Sequence, residues 1–226
     1  MITSETRLVG LLGDPVSGSL SPLMHNAAFA AVGLDWAYVP LPVKADRLED
    51  AVRGLVALGF VGANVTTPHK LAVTKLVETN VPSVNTLVVQ GGRVLGHSTD
   101  AAVLEKLGSQ RPAILGDGGA AIAFAEALPH AQRFSRRGAW PPAVTEADVV
   151  VNATSEREQV LAELVSGQTL VDLPYPRTAT AGAAAHSGAR VVDGLEVLVA
   201  QGAASFQLWT GVRAPVDVMR AAIRFA

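Results

Sequence analysis

The 226-residue chain contains no cysteine, which excludes a disulfide framework, thiolate chemistry and zinc sites built on sulfur, and fits a reducing compartment. It also lacks a charge excess, since 18 Lys and Arg stand against 20 Asp and Glu for a net charge of -2, and the basic residues are scattered. A protein that binds nucleic acid through phosphate neutralisation needs a basic surplus or stripe, so nucleic acid is not an expected partner. No apolar run approaches the roughly 20 residues that cross a bilayer, because Ala-rich stretches such as Ala179 to Ala185 are broken by glycine and polar residues. Met1 to Gly10 carries Glu5 and Arg7 ahead of a short apolar run, which is the pattern of neither a signal nor a transit peptide. Repeats and low-complexity segments are also missing. These absences lead to the expectation of a soluble, cytoplasmic protein with no membrane partner.

What is present is apolar: 49% of residues are hydrophobic and only 17% charged, ample material for a packed core. The length admits one large domain or two small ones. In the first hundred residues, short apolar runs at Leu8 to Leu12, Trp36 to Leu41 and Gly62 to Val65 alternate with amphipathic stretches at Pro22 to Val32 and Ala45 to Leu58. That alternation predicts a β-α-β-α-β unit on a mostly parallel sheet. Pro22 suits a helix first turn, and Gly59 stops the second helix. Ser83 to Gln90 and Arg93 to Leu95, separated by Gly91-Gly92, read as a β-hairpin.

A helix over Asp100 to Leu107 leads to a second β-turn-helix unit: Ala113 to Leu115, Gly116-Asp-Gly-Gly-Ala, and Ala121 to Leu128. Strands follow at Gln132 to Phe134 and Asp148 to Asn152, the latter an apolar run of the buried type. Only 13 residues separate Phe134 from Asp148, including Pro141-Pro142, where a parallel crossover normally carries a full helix. The second lobe is therefore expected to be trimmed. Two helices close the chain, Leu195 to Phe206 and Pro215 to Phe225, with Trp209-Thr-Gly between them.

Gly116, Gly118 and Ala121 fit G-x-G-x-x-G/A between a strand and a helix. In that setting Gly116, Gly118, Gly119 and Ala120 let the backbone approach a pyrophosphate at the helix N-terminus. The same glycines also suit a plain strand-to-helix turn. An NAD site expects an acidic residue about 20 positions after the first glycine, whereas this chain has Ser135-Arg136-Arg137 there. Paired arginines suit a 2′-phosphate, and hence NADP, or a solvated loop. Asp117 inside the turn repels a pyrophosphate unless its side chain points away.

Polar groups cluster just beyond strand ends in the first lobe: Ser19-Leu-Ser21, Asn64 with Thr66 and Lys70, Asn85, and Ser98-Thr-Asp100. Ligands bind at that edge of parallel α/β sheets. Ser19 and Ser21 fit either helix capping or a substrate carboxylate, while Asn64, Thr66, Asn85 and Asp100 suit a polyhydroxylated ring. Lys70 paired with Asp100 can pass a proton to or from a hydroxyl as hydride leaves, an alcohol–ketone interconversion; alone, Lys70 reads as a surface lysine. The five histidines show no metal-ligand spacing and read as surface or packing residues.

Taken together, these residues resemble the shikimate dehydrogenases and the related quinate/shikimate dehydrogenases. The resemblance rests on Gly13-Asp-Pro-Val, Ser19-Leu-Ser-Pro-Leu-Met-His-Asn, Gly62-Ala-Asn-Val-Thr-Thr-Pro-His-Lys, Val84-Asn-Thr-Leu, Ser98-Thr-Asp, Asn152-Ala-Thr-Ser, Asp193-Gly-Leu and Gln201-Gly-Ala. It implies an α/β fold of two lobes, a substrate-binding domain over 1–100 plus 195–226 and a trimmed Rossmann-like NADP-binding domain over 101–194, hinged near Ala101 and Gly194. It also implies a monomer or homodimer acting on shikimate and 3-dehydroshikimate. By likeness, Ser19 and Ser21 bind the substrate carboxylate with Tyr175 close by, Thr66, Asn85 and Gln201 contact ring hydroxyls, and Lys70 with Asp100 forms the catalytic pair. Arg136 falls where the family grips the adenosine phosphate, and Thr154 and Gly194 fall in the cofactor motifs.

The chain departs from the family at Ser98 and Ala101, where asparagine and glycine are usual, and at Asp117, where alanine is usual. It is shortened before Val84 and after Arg137, and Glu156-Arg-Glu-Gln replaces a glycine-containing loop. The expectation is an NADP-dependent shikimate dehydrogenase, the alternatives being a quinate or aminoshikimate-type paralogue and a non-catalytic shikimate-binding protein with impaired cofactor binding.

Overall fold

The computed structural model describes residues 2–224 and divides into two compact units, Met1–Thr99 with Val199–Ala226, and Asp100–Leu198. The sequence put the divisions at 100/101 and 194/195.

In the first unit, β1 (Arg7–Gly13), α1 (Ser21–Ala31), β2 (Trp36–Pro42), α2 (Leu48–Ala57) and β3 (Gly62–Val65) form the expected alternation, followed by the hairpin β4 (Thr86–Gln90) and β5 (Arg93–His97). The sheet order is β2-β1-β3-β4-β5, parallel across β2, β1 and β3 and antiparallel through the hairpin. Gly91 and Gly92 sit at φ 58° and 77°, the positive values that a two-residue hairpin turn requires and that glycine adopts without strain. β3 is buried along its whole length. Its Gly62 admits the close approach of two neighbours, because a Cβ there would lie 2.1 Å from the Leu87 carbonyl and 2.6 Å from the Trp209 indole nitrogen.

The second unit is a parallel sheet in the order β10-β9-β8-β6-β7. It comprises β6 (Pro112–Leu115), α3 (Gly119–Ala127), β7 (Gln132–Phe134), β8 (Val149–Asn152), β9 (Thr169–Asp172), α4 (Ala179–His186) and β10 (Arg190–Val192). The expected missing helix is absent between β7 and β8, and none stands between β8 and β9 either. Loop side chains cover the sheet instead: Val144, Ala147, Leu161, Ala162 and Leu164 are buried in the core, with Trp140 packed against it. A buried loop must satisfy its backbone, and Gln168 does so by donating to the carbonyls of Val144 and Ala147 at 2.8 and 2.6 Å.

Three expected elements differ. Asp100–Lys106 is a 3-10 segment rather than an α-helix. α5 (Gly194–Thr210) runs past Phe206 and includes Trp209, whose indole N–H donates to Leu87 O at 2.8 Å and so anchors the last turn. α6 (Val216–Ile223) starts one residue after Pro215, and its expected end at Phe225 lies outside the described residues. No helix among them is long and apolar enough to cross a membrane.

His25 on α1 is fully buried, stacked on the Tyr38 ring at 4.6 Å and tilted against that of Trp209 at 5.4 Å. Neither ring nitrogen has a hydrogen-bond partner among the described residues. It is a packing residue, and burial lowers its pKa to about 3 from 6.5. The native state therefore binds fewer protons than the unfolded chain below pH 6.5, so stability is full above that value and falls as the pH drops toward 3, by at most about 1.4 kcal/mol per pH unit. Urea denaturation at pH 7 and pH 5 should show the wild type losing about 2 kcal/mol more than His25→Phe over that interval; equal losses would refute the assignment.

Candidate active site

Because β1 and β3 are parallel, their C-terminal ends open on one edge of the sheet, and the polar segments of the first unit leave from there. A Cβ on Gly13 would lie 2.3 Å from Thr66 Cγ2, so glycine lets the two strand ends touch. The Asp14 N–H then donates to Thr67 O at 3.1 Å, tying the two loops together. Ser19 Oγ accepts the Ser21 N–H at 3.2 Å, while the N-cap of α1 is Leu20, with no side-chain cap. The serines thus shape the entry to the helix without capping it. Ser21 is buried, and Ser19 and Thr66 are half-buried.

Lys70 follows a tight turn. The His69 N–H donates to Thr66 O at 2.9 Å, and the His69 ring nitrogen Nε2 lies 2.6 Å from Val43 O. Lys70 O accepts the Val84 N–H at 3.0 Å, which sets the lysine backbone beside the segment that carries Asn85 into β4. Asp100 is buried and opens the 3-10 segment of the second unit.

The structure gathers Asn64, Asn85 and Gln201 into one buried network of amides and hydroxyls. Asn64 Nδ2 lies within 3.1 Å of Asn85 O, Thr86 Oγ1 and Ser205 Oγ, and Asn64 Oδ1 accepts the Tyr38 hydroxyl at 2.9 Å. Asn64 is 4% exposed, and the protein engages its donors and its carbonyl oxygen. Asn85 Oδ1 accepts the Thr99 N–H at 2.7 Å, and Asn85 Nδ2 donates to Thr99 Oγ1 at 2.9 Å and to Gln201 Oε1 at 3.1 Å. Tyr38 and Ser205 were not singled out in the sequence, and Thr86 and Thr99 stood there only as members of polar clusters. Gln201 and Ser205 stand four residues apart on α5, so a polar pair at helical spacing was the available signal.

In the second unit, Gly116 has φ 120° and a Cβ there would come within 3.0 Å of Ala153 O, so that turn needs glycine for its own packing. Gly118 is the N-cap of α3 and offers no side-chain cap, which leaves the first-turn N–H groups of Gly119 and Ala120 unpaired with side chains. A Cβ on Gly118 would meet nothing within 4 Å. Open space over a helix N-terminus fits a pyrophosphate. Ser135 begins the turn that presents Arg136 and Arg137, closed by Gly138 N–H to Ser135 O at 2.9 Å. Asp117 is directed to Arg137, with Oδ2 3.6 Å from Nη1, so its charge is paired within the glycine turn.

Thr154 donates through its N–H and hydroxyl to Asn152 Oδ1 at 3.2 and 2.8 Å, and Asn152 Nδ2 donates to Asp172 Oδ1 at 2.7 Å. Burial raises the Asp172 pKa despite hydrogen bonds from Asn152 and Thr178. Tyr175 is half-buried in the loop between β9 and α4. Gly194 admits the backbone of that loop, since a Cβ would lie 2.3 Å from Pro174 O and 2.6 Å from Leu173 O.

Two family models match this chain: the shikimate dehydrogenase substrate binding domain over residues 11–87 and the shikimate 5'-dehydrogenase C-terminal domain over 194–224. The shikimate dehydrogenase (NADP(+)) of Methanothermobacter thermautotrophicus is 36% identical, with 99% of this chain and 98% of the relative aligned. That of an Anaeromyxobacter species is 41% identical at the same coverage. The first alignment extends over 277 residues against a chain of 226, so this chain is shortened internally. Among solved structures, shikimate dehydrogenase from Aquifex aeolicus matches with a TM-score of 0.90 at 28% identity, covering 99% of this chain and 100% of that one. The Thermus thermophilus enzyme in complex with NADP(H) and shikimate matches with a TM-score of 0.85 at 28% identity, covering 96% of this chain and 98% of that one. With relatives above one-third identity aligned almost end to end, the chain belongs to the shikimate dehydrogenase family.

Proposed function

We propose that the protein is an NADP-dependent shikimate dehydrogenase that reversibly reduces 3-dehydroshikimate to shikimate. The observation that carries this reading is the contact between Asn85 and Gln201, 116 residues apart in sequence and 3.1 Å apart in space. These are two of the three positions where likeness to the family puts ring-hydroxyl ligands, Thr66 being the third. The Thr99 N–H on Asn85 Oδ1 fixes which way that amide faces, so its orientation is set before any ligand arrives.

In this reading the hydroxyls of Ser19 and Ser21, with Tyr175, hold the substrate carboxylate, and Thr66, Asn85 and Gln201 orient the ring. Lys70 and Asp100 hold and move the proton of the reacting hydroxyl. NADP, when bound, takes up or gives the hydride. Gly116, Gly118, Gly119 and Ala120 seat its pyrophosphate at α3, Ser135 with Arg136 and Arg137 receives the adenosine phosphate, and Thr154 and Gly194 border the nicotinamide end. The same reading makes it a cytoplasmic enzyme working as a monomer or homodimer.

Shikimate-dependent reduction of NADP is the direct test, with NAD and quinate as parallel conditions. Lys70→Ala should lower kcat by about 10²- to 10⁴-fold with little change in shikimate KM, as expected for a group acting in proton transfer. Turnover unaffected in that variant would remove Lys70 from the chemistry, and no turnover with any pair in folded protein would leave a ligand-binding protein.

Positioning and binding roles separate in a second comparison. Asn64→Ala strands buried partners and should cost about 2–3 kcal/mol of stability in chemical denaturation. Gln201→Ala takes one acceptor from the buried Asn85 amide and should cost about 1–2 kcal/mol of stability while raising the shikimate KM roughly tenfold. The opposite pattern would exchange the two assignments.

A further inference from the structure

Glu156 stands in the segment that replaces the family's glycine-containing loop. Its Oε1 accepts the N–H groups of Arg157, Glu158 and Gln159 at 3.0, 3.0 and 3.3 Å. Three converging backbone N–H groups form an anion-binding concavity, and here the protein fills it with its own carboxylate. The other oxygen, Oε2, lies 3.5 Å from Arg136 Nη2. The same guanidinium donates to Gln159 Oε1 at 3.2 Å and lies 5.9 Å from the centre of the Trp140 ring.

The two partners differ in freedom. The Arg136 side chain is 62% exposed and that of Glu156 only 26%, because the backbone N–H groups fix the carboxylate in place. The Glu158 N–H foremost, with those of Gln159 and Arg157 and the charge of Arg136, outweighs partial burial and holds the Glu156 carboxyl below its usual pKa. Glu156 is therefore a fixed negative charge at neutral pH, set against the arginine assigned to the cofactor's 2′-phosphate.

We propose that Glu156 is a specificity-determining residue: by holding Arg136 and repelling a second anion beside it, it weakens the preference for a ribose carrying a 2′-phosphate over one carrying a free 2′-hydroxyl. The inference rests on the reading that Arg136 receives that phosphate. A 2′-phosphate on Arg136 sits within about 6 Å of the carboxylate, and in a largely solvated setting that repulsion corresponds to about a three- to tenfold change in affinity. An adenosine with a bare 2′-hydroxyl carries no charge there and is indifferent to Glu156.

Glu156→Gln tests this without dismantling the loop, because the amide oxygen still accepts the three backbone N–H groups. Titration calorimetry on the full chain with 2′,5′-ADP and with 5′-AMP reads the effect apart from turnover. The variant should bind 2′,5′-ADP about three- to tenfold more tightly and 5′-AMP unchanged, with the gain shrinking in high salt as screening removes the repulsion. In turnover, the KM for NADP should fall by a similar factor at constant kcat. Unchanged or weaker 2′,5′-ADP binding, or an equal gain for both nucleotides, overturns the proposal. Arg136→Ala separates this from the underlying reading: it should weaken 2′,5′-ADP and spare 5′-AMP. If it spares both, the phosphate assignment fails and the role of Glu156 fails with it; if it weakens 2′,5′-ADP while Glu156→Gln changes nothing, the role of Glu156 alone is lost.

Discussion

The first unit is held to its purpose by one buried hydrogen-bond network, in which the Ser205 hydroxyl lies 3.0 Å from Asn64 Nδ2, 2.8 Å from Thr86 Oγ1 and 3.1 Å from Thr99 Oγ1. Through it α5 joins two strands and the residue just before Asp100. Buried polar groups carry a large penalty when unpaired, so the network permits few other registers of helix on sheet. The position of Gln201, one turn before Ser205, follows from that register. A site assembled from segments more than a hundred residues apart thus inherits its geometry from a core that is polar where most cores are apolar.

The second unit solves a different problem. Removing crossover helices from a parallel sheet exposes a face that has to be covered and leaves loop backbone that has to be satisfied. Val144, Ala147, Leu161, Ala162 and Leu164 supply the cover, and the Gln168 amide supplies donors to two loop carbonyls. The turn between β6 and α3 is set by its own packing, since a Cβ on Gly116 would come within 3.0 Å of Ala153 O, and the first turn of α3 carries no side-chain cap.

Much of this was legible in the sequence, for physical reasons that differ by element. The β-α-β run, the glycine hairpin and the Gly116 turn are encoded locally, by apolar period and by residues that tolerate unusual dihedrals. β9, α4 and β10 were not foreseen, because Thr169–Asp172 and Arg190–Val192 are too short to show a period and Ala179–His186 has scarcely any amphipathic contrast. Polar residues at strand ends marked the site as a region. What the sequence could not show was how far such amides are engaged by the protein itself: Asn64 and Asn85 are both buried, and the side-chain amides of both are bonded within the core.

The division of the chain also bears on synthesis. Residues Asp100–Leu198 are continuous and emerge from the ribosome as a complete set, while the first unit needs Val199–Ala226 as well. Domains of a growing chain ordinarily fold in order from the N-terminus. Here the first unit cannot complete its core in that order, because the Ser205 hydroxyl and the Trp209 indole that anchor α5 to the first sheet are translated after the whole of the second unit. The segment made first is the one that completes its core last.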